Sequence, residues 1–385
     1  MTDIKKLVGE SLAEIIKAAK HGGPRVRVGL MASGSELGRE ELARGAKTAL
    51  DTYGNVQPVM IGPRTAGFEE LDWIETPDGP ACDAEIANAL KAALKDGRIA
   101  AAVALHYPFP LGVTTIGRVL TPARGRSMLI AATTGTSSAN RGEAMLKNAI
   151  YGIATAKALG IREPTVGILN LDAAQPVFRA LTRMGERGYN VQFGSSVRKD
   201  GGAMLRGNDI LAGAVDVCVA DALTGNVLMK MFSSFSTGGS YEAVGWGYGP
   251  SCGEGWRNIV SIISRASGAP VIAASLSFTA SVAAGGLSDK VAAEIAAAKK
   301  AGLDEEIAAM APKGAAEEGV KAPLSEPTDE ELHGVDVLEI ENAVKALWKA
   351  GIYAEPAMGC TGPVVKLAAK NAERGEAVLK ENGYL

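Results

Sequence analysis

The sequence predicts an α/β protein built from two α/β units, and three observations carry that prediction. The first is the alternation of short apolar runs with longer amphipathic ones, the pattern of strands alternating with crossover helices. The second is that the apolar runs are nearly continuous, as in strands buried on both faces. The third is length, because 385 residues exceed what one ordinary core organises.

Strands are predicted at 25–31, 56–61, 99–105, 127–132, 165–169, 215–220 and 271–275. Helices are predicted between and after them, at 39–53, 83–96, 141–159, 175–188, 225–235 and 257–267. The segment 160–164 reads as a hinge, which divides the chain into a first α/β domain, 1–160, and a second, 161–287. From 288 to 334 the chain is rich in Ala, Glu and Lys and broken by Pro312, Pro323 and Pro327, a helical or linker segment. Residues 335–385 read as a C-terminal segment of two amphipathic helices around a short loop.

Composition excludes several classes. Hydrophobic residues at 47% and charged residues at 22% exclude wholesale disorder. A balance of 40 basic against 43 acidic residues, with 5% aromatics, leaves no footprint for nucleic acid. The longest apolar run, 270–284, is interrupted by Ser and Thr and falls short of a membrane span. Near the start, Leu7, Leu12, Ile15 and Ile16 recur at helical spacing with charges between them, unlike a signal-peptide core. Four scattered cysteines without a C-x-x-C pair, and three histidines, argue against zinc and for a reduced, cytoplasmic protein.

Ligands in α/β folds bind beyond the carboxyl ends of strands, so the loops there are the candidates. Segment 131–142, AATTGTSSANRG, follows a strand and precedes a long helix. Thr133, Thr134, Thr136, Ser137 and Ser138, with Gly135 for backbone freedom and Arg141 at the helix start, suit an anion site. Alternatively the loop is simply well capped, by Ser138 or Asn140. Segment 215–230 ends a strand at Asp221, turns through Thr224, Gly225 and Asn226, and places Lys230 one helical turn on. Asp221 and Lys230 either face a cleft or cap a turn and a solvated surface, respectively.

Segment 238–255 is glycine-rich. Its Gly249-Pro-Ser251-Cys-Gly253 matches G-x-S-x-G formally, but Pro250 disfavours a nucleophile elbow and no acid partner is evident. A backbone-lined ligand loop, with Cys252 as an exposed thiol, is the expectation. His106, at a strand end, either faces the cleft or packs. Cys218 reads as core, and Cys82 lies in a turn without an activating group. Near the C-terminus, Gly362-Pro363 reads as the start of a helix, with Gly362 as its N-cap. That placement would set Cys360 at the positive end of the helix dipole and favour its thiolate; the alternative is an inert, packed Cys.

The succession TTGTSSANRGEAMLKNAIYGIATAKALGI, PTVGILNLD, DVCVADALTGNVLMK and a glycine-rich loop resembles the PlsX-type phosphate acyltransferases of phospholipid synthesis and, more distantly, phosphotransacetylases. HYPFPLGVTTIGRVLTP, MLRGNDILAGAVDV, SSFSTGGSYEAVGWGYGPSCGEG and EPAMGCTGPVVK extend the likeness from about residue 25 to the C-terminus, and there the chain resembles the alpha subunits of protein C in glycine/sarcosine/betaine reductases. The resemblance implies two α/β domains around a cleft, as in isocitrate and isopropylmalate dehydrogenases. It implies transfer of an acetyl group from a thioester to inorganic phosphate, with phosphate as co-substrate and no other cofactor or metal. The implied partners are the protein C beta subunit and the selenoprotein component A as donor, and the implied reactive cysteine is Cys360. Thr133, Thr134, Gly135, Thr136, Ser137, Ser138 and Arg141 would hold phosphate, while Asp221, Thr224, Gly225, Asn226 and Lys230 would shape the cleft. Two departures stand out. The acyltransferase Gly-Gly-Asp element reads here as Ala32-Ser-Gly34-Ser-Glu36, and the Ser–Arg phosphate pair of phosphotransacetylases finds no assigned counterpart. Dehydrogenase chemistry is disfavoured because no G-x-G-x-x-G follows the first strand.

Overall fold

The computed structural model describes residues 25–199, 201–310, 320–335, 339–359 and 362–385. The amphipathic N-terminal stretch, Pro312 and Cys360 therefore lie outside the described residues. In chain order the main elements are β1 (Val26–Met31), α1 (Arg39–Thr52), β2 (Val56–Gly62), β3 (Asp72–Glu75), α2 (Cys82–Lys95), β4 (Ala101–Ala104), β5 (Val113–Leu120) and β6 (Ser127–Thr136). Next come α3 (Arg141–Ala158), β7 (Val166–Leu169), α4 (Ala174–Glu186), β8 (Met204–Leu205), α5 (Gly207–Ala212), β9 (Val217–Val219) and α6 (Ala222–Ser234). The chain continues through β10 (Gly249–Gly253), β11 (Val260–Ile262), α7 (Ala269–Ala284), α8 (Leu287–Lys300) and α9 (Leu303–Met310). Last are β12 (Glu330–His333), α10 (Ile340–Lys349), β13 (Ala354–Gly359), β14 (Gly362–Leu367) and α11 (Ala372–Glu381).

Eleven of these strands form one mixed sheet in the order β3-β2-β1-β4-β11-β10-β5-β6-β9-β7-β8. The flank from β3 to β11 is parallel throughout, and so is the flank from β6 to β8. Antiparallel pairs through β10 and β5 join them. The α/β class holds, but the halves do not divide at residue 160. β5, β6 and α3 share a half with β7–β9, whereas β11 and α7 return to the N-terminal half.

Each half has its own apolar core. In the first, Leu30, Leu42, Met60, Ile61, Val103, Ile272 and Leu276 are buried together. Gly45 lets α1 approach α7, since a Cβ there would meet Ile272 Cγ2 at 2.5 Å. In the second, α3 is buried nearly all round, with Met145, Ile150, Tyr151 and Ala154 against the sheet and α8. Burying such side chains contributes about 1.5–3 kcal/mol each relative to exposure, the main force holding the layers together.

Four expectations are corrected. Segment 271–275 is not a strand but the interior of α7; a long apolar run with Pro at its first turn suits a buried helix, and periodicity alone does not separate the two. Segment 257–267 is not a helix: its β-branched Val260 and Ile262 form β11, between β4 and β10. The glycine-rich segment is not an open ligand loop at 249–253, where it becomes the buried strand β10. Gly362-Pro363 opens β14 rather than a helix, so Cys360 has no helix start after it. β14 lies between β12 and β13, and Pro363 falls beyond the last pair with β12.

β12–β14 with α10 and α11 enclose a third core of Leu332, Val344, Leu347, Ile352, Val365 and Leu379. An isolated bridge between Pro110 and Ala357, and packing of Ala139 on this core, tie the C-terminal lobe to the loops after β4 and β6. No single helix among the described residues is long and apolar enough to cross a membrane.

Helix α6 lies on β6 so closely at Gly225 that a Cβ would stand 1.7 Å from the Ala132 carbonyl oxygen. A Gly225→Ala variant is expected to lose about 1–3 kcal/mol or more of stability, measured by urea unfolding, because helix or strand must shift.

Candidate functional site

The loops after β1, β4 and β11, the carboxyl end of β6 and the first turns of α6 surround a cavity of about 360 Å³. His106, Tyr107 and Phe109 follow β4, Ser264 and Arg265 follow β11, and Glu36 follows β1. From the other half come Thr134 and Gly135 of β6, Asn226 and Lys230 of α6, and Tyr248. Gly135 has φ 72°, and a Cβ there would meet the Val113 carbonyl oxygen at 2.5 Å, so only glycine carries the backbone past this point.

The residues singled out in the sequence separate into three groups. Thr134, Gly135, Asn226 and Lys230 converge on the cavity. Others are engaged in holding the framework. Thr133 is fully buried, its hydroxyl hydrogen-bonded to Thr115 and the Tyr248 carbonyl. Asn226 Nδ2 donates to the Thr133 carbonyl at 3.1 Å, fixing its amide at the cavity wall. Ser137 Oγ donates to Asn148 Oδ1 at 2.7 Å beneath α3. The Thr136 carbonyl accepts from Gly112 N–H. Asp221 caps α6, accepting from the Thr224 N–H at 2.8 Å and from the Thr224 hydroxyl at 3.0 Å. Gly225 makes the close approach to β6 already described.

The third group lies on the far side of the loop. Asn140 caps α3 through the Glu143 N–H, and Ser138 Oγ accepts from Asn140 N–H, which decides the capping alternative for Asn140. Arg141 pairs with Asp172 and lines a different cavity, of about 430 Å³, with Arg179 and Arg183. Cys252 is not an exposed thiol: it is buried beside Thr155, and burial pushes it up to about 12. Cys218 is core, likewise pushed up to about 12.

The helical pattern of 257–267 hides Arg265 and Ser264 in the sequence; the signal for them is an Arg just past a β-branched run, at a strand's carboxyl end. Ser264–Arg265 is also a Ser–Arg pair facing the cleft. Among the described residues neither Arg265 nor Lys230 forms an ion pair, and Lys230 Nζ lies 5.4 Å from the Tyr248 ring centroid. Two such cations, one from each half, against the single lining carboxylate Glu36, leave the cavity lining with a net positive charge that suits an anion. No group of three or more His, Cys, Asp or Glu among the described residues could hold a metal ion.

Burial, reinforced by the Arg265 charge, depresses the His106 pKa below its ordinary value, with Glu331 and Asp83 opposing. Both effects favour the uncharged imidazole. Its titration followed by NMR is expected to have a midpoint below about 6.5, and Arg265→Ala is expected to raise it. The sign follows from the cationic neighbour, which disfavours imidazolium.

Residues 26–366 match the family described as fatty acid synthesis protein. The component C subunit alpha of the glycine/sarcosine/betaine reductase complex of Peptoclostridium acidaminophilum is 46% identical over 390 residues, covering 100% of both chains. A phosphate acyltransferase of Thermotoga petrophila is 27% identical over 242 residues, covering 55% of this chain and 69% of its own. The crystal structure of a branched-chain phosphotransacylase from Enterococcus faecalis V583 has a TM-score of 0.46 at 15% identity, covering 67% of this chain and 99% of that one. The family match, over residues 26–366, spans the sheet, the cleft and most of the C-terminal lobe, and it makes the chain a member of the fatty acid synthesis protein family.

Proposed function

We propose that this chain is the acyl-transfer subunit of a glycine/sarcosine/betaine reductase, in which phosphate bound in the cleft attacks an acetyl thioester. The observation that carries the reading is the pair Lys230 and Arg265, two cations, one from each half, that line one cavity and form no ion pair among the described residues. Phosphate is already an anionic nucleophile, so the protein's contribution is to hold it in line with the carbonyl. A phosphate oxygen bonds to the carbonyl carbon, the carbonyl π electrons move to its oxygen, and the tetrahedral intermediate collapses. The C–S bond breaks, acetyl phosphate leaves and the thiolate takes up a proton from solvent. Ser264 and Thr134 line the same cavity and supply hydroxyls for phosphate oxygens. His106 lines the same cavity, and the lowered pKa disfavours its carrying a further positive charge there.

The thioester is carried on Cys360 or on a partner, with the protein C beta subunit as that partner and selenoprotein component A as donor. Ala357, in the strand that leads toward Cys360 in the sequence, bridges Pro110 at the lobe boundary. No cofactor beyond phosphate enters the scheme.

Lys230→Ala and Arg265→Ala are each expected to raise the KM for phosphate about tenfold or more in phosphate-dependent acetyl phosphate release, with the thioester KM little changed. Equal loss at saturating phosphate, without a change in KM, would contradict the assignment. In the assembled complex Cys360→Ser is expected to abolish acetyl phosphate formation; full retention of activity would place the thioester on a carrier other than this chain.

A further inference from the structure

Glu242 is buried in the glycine-rich segment, 3% exposed, yet does not line the cavity. Both of its carboxylate oxygens are engaged, and each contact leads toward one of the two cleft cations. Oε1 accepts from the Tyr248 hydroxyl at 2.7 Å, and the Tyr248 ring is the one that lies 5.4 Å from Lys230 Nζ. Oε2 accepts from Ser267 Oγ at 3.0 Å, and the same Ser267 Oγ accepts from the Ser264 N–H at 3.0 Å.

The Glu242 backbone grips the same turn. Its N–H donates to the Ala266 carbonyl, and its carbonyl accepts from the Gly268 N–H, both at 2.9 Å. Arg265 therefore sits between two residues, Ser264 and Ala266, that are both tied to Glu242. A buried carboxylate is costly unless its acceptors are filled, so this one is retained in a geometry where any displacement leaves charge unpaired. Lys230 and Arg265 have flexible stems, and a fixed ring under one and a fixed turn under the other restrict where their charges lie.

We propose that Glu242 is the positioning residue for the anion site, holding the Lys230 arm through Tyr248 and the Arg265 arm through Ser267 and the 264–268 turn. The inference rests on the phosphate-binding reading above for the identity of the anion, but the positioning itself has an independent readout.

Reductive ¹³C-methylation of the full chain, with Lys230→Arg to assign the signal, gives a Lys230 dimethylamine resonance displaced by the Tyr248 ring current. In Glu242→Gln that resonance is expected to move toward those of lysines with no aromatic ring beside them. The Kd for inorganic phosphate, measured by calorimetry on unmethylated protein, is expected to rise about tenfold. A carboxylate with only a structural role would lower the melting temperature and leave both readouts of the folded protein in place, and that result overturns the proposal. Should Glu242→Gln fail to fold, Tyr248→Phe and Ser267→Ala each cut one arm. Tyr248→Phe is expected to shift the Lys230 signal and Ser267→Ala to weaken phosphate binding without shifting it; neither effect appearing overturns the proposal equally. Wild type that binds no phosphate, with a Lys230 signal that still moves in Glu242→Gln, would refute the phosphate reading and leave the positioning role standing.

Discussion

Helix α6 reaches the sheet through a glycine, and the contact between Gly225 and the Ala132 carbonyl governs how deep the helix sits. At that depth the next residue, Asn226, can donate its amide to the Thr133 carbonyl, and Lys230 one turn later comes over the Tyr248 ring. A side chain at 225 would lift the helix and carry both groups away from the cavity. Asp221 supports the same placement from the helix start, spending both carboxylate oxygens on Thr224. The segment ADALTGNVLMK thus acts as one mechanical unit: cap, close approach, anchor and charge.

The electrostatics of the cleft follow from bringing two oppositely oriented halves of a sheet together. One half supplies Arg265 and His106 from carboxyl ends of strands, and the other supplies Lys230 from a helix and Thr134 from β6. Arg265 and Lys230 are exposed, whereas His106 is half-buried, and there burial and the nearby Arg265 charge together hold its pKa down. The buried carboxylate of Glu242 stands behind both cations without pairing directly with either, so it orders them while leaving their charge for a ligand. The C-terminal lobe packs against Ala139, after β6, and bridges Pro110, after β4, and so ties the loops of the two halves together.

Much of the framework was legible in the sequence. β1, β2, β4, β6, β7 and β9 and helices α1–α4 and α6 lie where apolar periodicity places them. Of the candidate loops, 131–142 proved divided in function: β6 runs to Thr136 with side chains alternating, so Thr134 meets the cavity while Thr133 turns into the sheet and Ser137 tucks under α3. The errors have a common cause. Short runs such as 257–267 and 271–275 satisfy strand and helix patterns alike, and β10 is built of Gly, Pro, Ser and Cys, which carry no strand signal. What makes β10 a strand is its pairing with the nearby β11 on one side and, on the other, with β5, nearly 140 residues away in sequence.

The same distinction separates what each level decides. Local patterning by itself determined the α/β class, the parallel strands and the residue types available in the cleft, because period and turn chemistry are properties of neighbouring residues. Only the tertiary structure decided that Arg265 and Ser264 face Lys230, that Glu242 is buried behind both, and that Gly362-Pro363 begins a strand. Those outcomes depend on long-range pairing and on which groups can leave water together, and neither is encoded in the spacing of any one segment.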